Sequence, residues 1–186
     1  KRQPGYSTAY NGVLTFDGAD DYCNSTNFAL QMGNTDYTIE FVLKVNQTST
    51  APGIMNWGSS GPFNLNGKGM QIRFQTNLFE YTIADGFSTG IRLQYTFSNV
   101  ADGTYKHYII TQIKQDLATL YLNGINVSTK SYAGEVAYTD TYNLWIARGN
   151  DGYINGNIPY VRIYNRALSS DEVLQNYNLA KLRFAF

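Results

Sequence analysis

The strongest hydrophobic pattern in the chain lies at residues 37–45, where apolar and polar side chains alternate. Five apolar residues would share one face of an extended chain: Tyr37, Ile39, Phe41, Leu43 and Val45. The opposite face carries Thr38, Glu40 and Lys44, with Val42 as its apolar exception. A period of two residues is typical of a β-strand that buries one face. The segment therefore predicts a strand with one side in the core.

Further strand-like runs follow at short spacing along the chain. We predict strands at residues 12–18, 70–75, 79–84, 91–97, 105–113, 118–122, 125–127, 142–147 and 158–165, and loops around a short central piece, 54–57, at residues 51–68. Asn123 and Gly124 lie between two of these runs. This dipeptide is a strong hairpin signal, because both central residues of a type I′ turn need a positive φ.

One helix is predicted, close to the C-terminus. Ser169 and Glu172 have the spacing of a capping box, in which each side chain bonds the main-chain amide of the other residue. Val173, Leu174 and Tyr177 then form an apolar stripe. Many short strands with a single late helix favour an all-β fold, a two-sheet antiparallel sandwich, over an alternating β-α design.

The length of 186 residues suits a single domain. We assign residues 1–186 to one domain with a core from about residue 12 to residue 184, and we expect both chain ends to be loosely held. The single cysteine, Cys23, excludes an internal disulfide and is expected to be at least half-buried.

Charge and hydropathy exclude two classes of partner. The 14 basic residues are scattered and balanced by 14 acidic residues, so no basic stripe for nucleic acid is expected. No apolar run approaches the roughly 20 residues that span a bilayer, so no membrane insertion is expected. The first residues have no apolar segment behind them and do not resemble a signal peptide.

Five segments resemble one family, the laminin-G-like modules of the concanavalin A-like lectin/glucanase superfamily. In chain order they are LTFDGADDY at 14–22, YTIEFVLK at 37–44, DGTYKHY at 102–108, LYLNG at 120–124, and GYINGNI at 152–158 followed by VRIYNRALS at 161–169. The tail at 173–184 is also similar to the endings of such modules in bacteriophage structural proteins. The resemblance spans about residues 12–184 and implies a concanavalin A-like jelly roll with one short C-terminal helix.

The resemblance also implies a structural calcium ion between the opening turn and the closing strand. Asp17, Asp20 and Asp21 match the opening side, and carboxylate oxygens are ligands that Ca²⁺ prefers. On the closing side, Pro159 and Tyr160 stand where relatives carry acidic residues, which removes an expected ligand. Because Asp also favours turns through bonds to its own main chain, a calcium site and a simple turn both remain open.

The acidic residues and the single histidine argue against an enzyme. Glucan-cleaving relatives place paired carboxylates on one strand, flanking the scissile bond. None of the four glutamates has an acidic residue two positions away: Glu40, Glu80, Glu135 and Glu172. His107 is the only histidine, and we expect it to be a packed or hydrogen-bonded structural residue.

Sugar binding is the leading functional hypothesis, because a lectin site pairs an aromatic face with groups that bond hydroxyls. Two segments offer such groups: residues 56–60, which contain Trp57, and residues 145–153, which contain Arg148, Asn150, Asp151 and Tyr153. Trp145 is expected to lie in the core. The alternative for the second segment is an ordinary hairpin turn.

We therefore predict a non-catalytic, lectin-like module that binds glycans on a virion or another extracellular surface. The alternative is a structural or decoration module of a phage particle, which contacts protein neighbours or packs as a homo-oligomer. The fold alone does not distinguish these two functions.

Overall fold

The computed structural model describes residues 3–9, 12–28, 35–47, 51–58, 68–85, 90–114, 116–131, 142–149 and 152–184. In chain order its elements are β1 (Gly5–Ser7), β2 (Val13–Asp17), β3 (Cys23–Phe28), β4 (Tyr37–Gln47), β5 (Gly53–Gly58), β6 (Lys68–Gln75), β7 (Leu78–Asp85), β8 (Gly90–Thr96), β9 (Tyr105–Gln112), β10 (Leu117–Leu122), β11 (Ile125–Ser131), β12 (Tyr142–Ile146), β13 (Asn155–Tyr164) and α1 (Ser170–Phe184).

The strands form two antiparallel sheets, which confirms the predicted all-β sandwich. Sheet A has the order β1-β2-β13-β4-β9-β10-β11, and sheet B has the order β3-β12-β5-β6-β7-β8. Strands far apart in sequence are neighbours in both sheets, as β13 lies between β2 and β4. This crossing places the closing segment of the chain beside the opening turn.

The core lies between the two sheets and follows the predicted alternation. The apolar face of β4, from Tyr37 to Val45, is buried in it. Sheet B contributes Met70, Ile72 and Phe74 from β6. The Tyr108 ring stacks on Phe41 at a centroid distance of 4.9 Å and on Phe79 at 5.6 Å, so it joins the two layers.

The two local signals with a defined geometry are both confirmed. Asn123 and Gly124 have φ values of 50° and 77°, as a type I′ hairpin requires. At the start of α1, the Ser169 amide donates to Glu172 Oε2 at 2.9 Å, and the Glu172 amide donates to Ser169 Oγ at 3.3 Å. Within the ends that were expected to be loosely held, β1 pairs with β2 and Phe184 is buried at the end of α1.

Helix α1 lies on the outer face of sheet A. Val173 packs with Ile109 and Leu168, and Ala180 and Phe184 pack with Val42. This explains why β4 departs from strict alternation, since Val42 faces the helix instead of solvent. No helix in the described part of the chain is both long and apolar enough to cross a bilayer.

A buried carboxylate fastens the helix to the sheet. Glu40 is fully buried, and its oxygens lie within hydrogen-bond distance of five side chains: His107 (3.1 Å), Tyr160 (2.8 Å), Arg162 (3.3 Å), Tyr164 (2.6 Å) and Asn176 (3.0 Å). We call this set the Glu40 network. Burial alone would raise the pKa of Glu40, but the hydrogen bonds from His107, Tyr164 and Tyr160 lower it to about 2.

Candidate functional site

The loop between β12 and β13 is held at one end of the sandwich by main-chain bonds. The Gly149 amide donates to the Gly152 carbonyl at 2.9 Å, and the Gly53 amide donates to the same carbonyl at 3.3 Å. A Cβ built on Gly53 would lie 2.0 Å from the Gly149 nitrogen, so the two segments touch through glycine alone. Asn150 and Asp151, both predicted site residues, lie outside the described residues.

Ala147 directs Arg148 onto the preceding strand. Its φ is 67°, a left-handed conformation that is uncommon for a residue with a Cβ. In a regular strand Trp145 and Arg148 would face opposite sides. The left-handed residue between them breaks this alternation, and the Arg148 guanidinium lies 4.6 Å from the centre of the Trp145 ring.

Arg148 also contacts an aromatic residue from the opening segment. Its guanidinium lies 5.0 Å from the centre of the Tyr22 ring, and the rings of Tyr22 and Tyr153 are 6.3 Å apart. All four side chains are partly exposed. We call Tyr22, Trp145, Arg148 and Tyr153 the Arg148 cluster; it brings together two predicted site residues, Arg148 and Tyr153.

The structure reverses the expected roles of the two tryptophans. Trp57 has no exposed surface and makes an edge contact with Tyr142 at 5.2 Å, so it offers no face to a sugar. Trp145, expected in the core, is only partly buried, because Leu144 and Ile146 on either side of it face the core. The sequence could have indicated this, because Trp145 lies on β12 between two apolar residues, and neighbouring residues on a strand face opposite sides.

Asp17, Asp20 and Asp21 converge in the turn after β2. One carboxylate oxygen from each lies within 4.8 Å of the others. The Ala19 amide donates to Asp17 Oδ1 at 2.8 Å, and the Asp17 amide donates to Asp21 Oδ2 at 3.3 Å. The three aspartates therefore also stabilise the turn, so the structure is consistent with both a calcium site and a simple turn.

The geometry of this turn fits a calcium ion. Two ligands of one Ca²⁺ are at most about 5 Å apart, because each lies about 2.3–2.6 Å from the ion. Asp21 is 5% exposed, and its Oδ1 has no hydrogen-bond partner. Among the described residues, no cationic side chain forms an ion pair with any of the three carboxylates. A buried, unpaired carboxylate oxygen is costly, and a bound cation would satisfy it.

The register of β13 shows that the departure at Pro159 and Tyr160 does not bear on this turn. Asn155 is the residue opposite Asp17, and its Nδ2 donates to the Asp17 carbonyl at 3.0 Å. Pro159 lies four residues further along, roughly 13 Å at strand spacing. Tyr160 belongs to the Glu40 network. The inference that these two positions remove a calcium ligand was therefore wrong.

A row of side chains on the outer face of sheet B was not predicted. Directly paired positions cross all six strands in the order Asn24, Trp145, Asn56, Gln71, Thr82 and Arg92. Gln71 is 2% exposed, and neither Oε1 nor Nε2 has a hydrogen-bond partner. A Cβ built on Gly149 would lie 3.1 Å from Gln71 Nε2, so the Arg148 loop passes over this carboxamide.

The described glutamates do not form a catalytic pair. Glu40 lies on the outer face of sheet A and Glu80 on the outer face of sheet B, with the core between them. Glu80 accepts bonds from Arg73 at 2.7 Å and Gln94 at 2.8 Å. His107 is buried beside Glu40, which confirms the expected structural histidine. Glu135 lies outside the described residues.

Solved structures with a similar fold include binding domains of botulinum neurotoxins. The receptor binding domain of botulinum neurotoxin D superposes with a TM-score of 0.76 at 14% identity, covering 96% of this chain and 46% of that chain. The botulinum neurotoxin serotype G binding domain gives a TM-score of 0.68 at 14% identity, with coverages of 95% and 44%. The chain therefore spans less than half the length of these neighbours.

A third neighbour is the ligand binding domain of botulinum neurotoxin serotype D in complex with N-acetylneuraminic acid. Its TM-score is 0.74 at 14% identity, covering 96% of this chain and 45% of that chain. No curated protein sequence matches the chain.

A family model for the concanavalin A-like lectin/glucanases superfamily, of the laminin G type, matches residues 17–174. The matched region includes the Asp17–Asp21 turn, the Glu40 carboxylate and the whole Arg148 cluster. The two-sheet sandwich, the closing strand beside the opening turn and this match agree. The chain is a member of the concanavalin A-like lectin/glucanase superfamily.

Proposed function

We propose that this chain is a non-catalytic carbohydrate-binding module and that the Arg148 cluster is its glycan site. The observation that carries the proposal is the guanidinium of Arg148, which lies over the rings of both Tyr22 and Trp145 in a partly exposed position. Sugar sites combine aromatic faces with a few fixed polar groups. Here Arg148 is the polar group, and the rings of Tyr22 and Trp145 hold its guanidinium in place.

The electrostatics of Arg148 support a ligand that presents oxygen acceptors. No carboxylate of the described residues forms an ion pair with Arg148. Two aromatic rings lie beside the guanidinium, and its N–H groups are of the kind that donate to hydroxyl or carboxylate oxygens of a ligand. Sialylated glycans are the first probe, because the neurotoxin D neighbour binds N-acetylneuraminic acid.

The test is a glycan array followed by calorimetric titration of the best hit. Removing a bidentate Arg contact typically costs about 1.5–3 kcal/mol, so we expect Arg148→Ala to weaken binding roughly 10- to 100-fold. Arg148→Lys keeps the positive charge but loses the planar guanidinium, so its glycan affinity should lie between those of the natural chain and of Arg148→Ala. Arg183→Ala is the matched control, because Arg183 also lies over an aromatic ring, 4.9 Å from the centre of Phe184 on α1. An array without hits, or an Arg148→Ala variant with unchanged affinity, would refute the site.

We further propose that Asp17, Asp20 and Asp21 hold a structural Ca²⁺ beside this cluster. The unpaired Asp21 Oδ1 supports this assignment. Ligand binding to the native state alone raises stability by about 2.7 kcal/mol at a hundredfold excess over Kd. Ca²⁺ should therefore raise the melting midpoint of the natural chain and leave that of Asp21→Asn unchanged. Equal midpoints for the natural chain in calcium and in chelator would contradict a tight site.

We place this activity on a virion or another extracellular surface, as the resemblance to phage modules and to toxin binding domains suggests. A structural or decoration role in a phage particle is the second candidate. It is favoured by three exposed leucines on α1, Leu174, Leu179 and Leu182. A module that fails to bind any glycan but copurifies with particle proteins would favour this second role.

A further inference from the structure

We propose that the chain forms a two-fold symmetric dimer through the exposed side of α1, with the two helices antiparallel. The proposal goes beyond glycan binding and rests on the outward surface of the helix. Three of the six large apolar side chains that are exposed in the described part of the chain lie there: Leu174 (49%), Leu179 (61%) and Leu182 (86%).

These leucines line a shallow groove that follows the helix. The groove has a volume of about 380 Å³ and is lined by Asp171, Leu174, Gln175, Asn178, Leu179 and Leu182. The spacing of three and four residues forms one continuous stripe along the helix. We call it the leucine stripe. A stripe of this shape suits a second helix, whose side chains have the same spacing.

The centre of the leucine stripe is palindromic, and this points to a second copy of the chain as the partner. Reversing the helix about the point between residues 176 and 177 exchanges Leu174 with Leu179 and Gln175 with Asn178, whereas Leu182 exchanges with Asp171. An isologous interface requires a surface that complements itself under a two-fold rotation. In this register the central leucines and carboxamides of the two helices lie at the same levels, and Leu182 of each copy lies level with Asp171 of the other.

The charges at the two ends of α1 select the antiparallel direction. The first turn carries Asp171 and Glu172, and the last turn carries Lys181 and Arg183. Antiparallel helices bring Asp171 of each copy near Lys181 of the other. Parallel helices would instead bring like charges together at both ends, which is unfavourable.

Sedimentation equilibrium over a wide range of chain concentrations tests the dimer. We expect reversible dimerisation of the natural chain and a dissociation constant raised about 100-fold or more by Leu179→Lys, because symmetry counts each buried leucine twice. Ile125→Lys is the matched control. Ile125 is 67% exposed but lies on β11, so this variant should dimerise like the natural chain.

A charge exchange tests the orientation. Lys181→Glu makes both ends of the stripe acidic, and Asp171→Lys makes both ends basic, so each variant alone should dimerise at least tenfold more weakly. An equimolar mixture should restore association as a heterodimer. A natural chain that stays monomeric, a Leu179→Lys dimer of unchanged affinity, or a mixture without recovery would each overturn the proposal. A strictly monomeric chain would leave the leucine stripe to a different protein.

Discussion

The outer faces of sheet A and sheet B both contain buried polar side chains, but they satisfy them differently. On sheet A, donors from two strands, β9 and β13, and from α1 converge on Glu40. On sheet B, the Gln71 carboxamide is buried with both of its polar atoms unpaired. Glu80, close by on the same sheet, is paired with Arg73 and Gln94, so the deficit does not extend over the whole outer face of sheet B.

The position of this deficit connects it with the proposed site. Gln71 lies under Gly149, directly after Arg148, and in the same cross-strand row as Trp145. Native proteins leave few buried polar atoms unpaired, so each such atom calls for a physical explanation. We infer that sheet A uses its polar groups to fasten the helix, whereas the Arg148 side of sheet B keeps polar groups that do not stabilise the fold.

The largest expected effect is on sheet A. In Glu40→Gln, an amide nitrogen replaces an acceptor oxygen that is surrounded by donors. We expect the free energy of unfolding to fall by about 3–5 kcal/mol, as when one partner of a buried ion pair is removed. Urea denaturation measures this loss. Glu172→Gln, which removes a carboxylate from the exposed cap of the same helix, should lower the midpoint far less; equal losses would mean that the Glu40 network does not fasten α1.

The same carboxylate predicts how stability depends on pH. The folded-state pKa of Glu40 is about 2, below its ordinary value of 4.5. A lowered pKa contributes stability above the unfolded value, and this contribution is lost as pH falls from 4.5 towards 2. Subtracting the curve of Glu40→Gln from that of the natural chain should isolate this loss. Parallel curves through this window would contradict the lowered pKa.

The fold was predictable because its signals are local and repeated. The alternation in β4, the Asn123–Gly124 turn and the Ser169–Glu172 capping box each specify geometry over a few residues. The sequence did not indicate which element covers the outer face of each sheet. Glu40 and Val42 contact a helix that lies more than a hundred residues later in the chain, and no local pattern indicates that contact.

A smaller effect is expected from the close approach of Gly53 and Gly149. A Cβ at Gly53 would overlap the main chain of Gly149, so Gly53→Ala must displace the segment that carries Arg148. We expect a loss of about 1–3 kcal/mol, as for overpacked sites, together with weaker glycan binding. Gly5→Ala is the matched control, since the nearest atoms to its Cβ are 3.7 Å away. If Gly53→Ala binds glycan with unchanged affinity, then the contact between Gly53 and Gly149 does not position the proposed glycan site.

The site was less predictable than the fold, because it is assembled from distant segments. Arg148 and Tyr153 were identified from one loop, but Tyr22 reaches them from the opening turn. Whether a tryptophan faces the core depends on strand register, and a single-residue difference in facing reverses its role. The left-handed Ala147, which turns Arg148 onto Trp145, has no sequence signal of its own.

The smallest expected effect tests the unpaired carboxamide. Gln71→Met keeps the length of the side chain and removes two buried polar atoms without partners, so we expect the free energy of unfolding to rise by about 1 kcal/mol.

Gln112→Met is the matched control, because Gln112 is equally buried, at 2% exposure, but its Nε2 donates to the Ile113 carbonyl at 2.9 Å. That variant should lose about 0.5–1.5 kcal/mol, since it removes a hydrogen bond that the Gln112 carboxamide makes in the folded chain. Urea denaturation of both variants gives the comparison, and a loss of similar size at both positions would show that the Gln71 carboxamide is satisfied like that of Gln112. If Gln71→Met is more stable yet binds glycan more weakly, then the unpaired carboxamide on sheet B is retained for the ligand rather than for the fold.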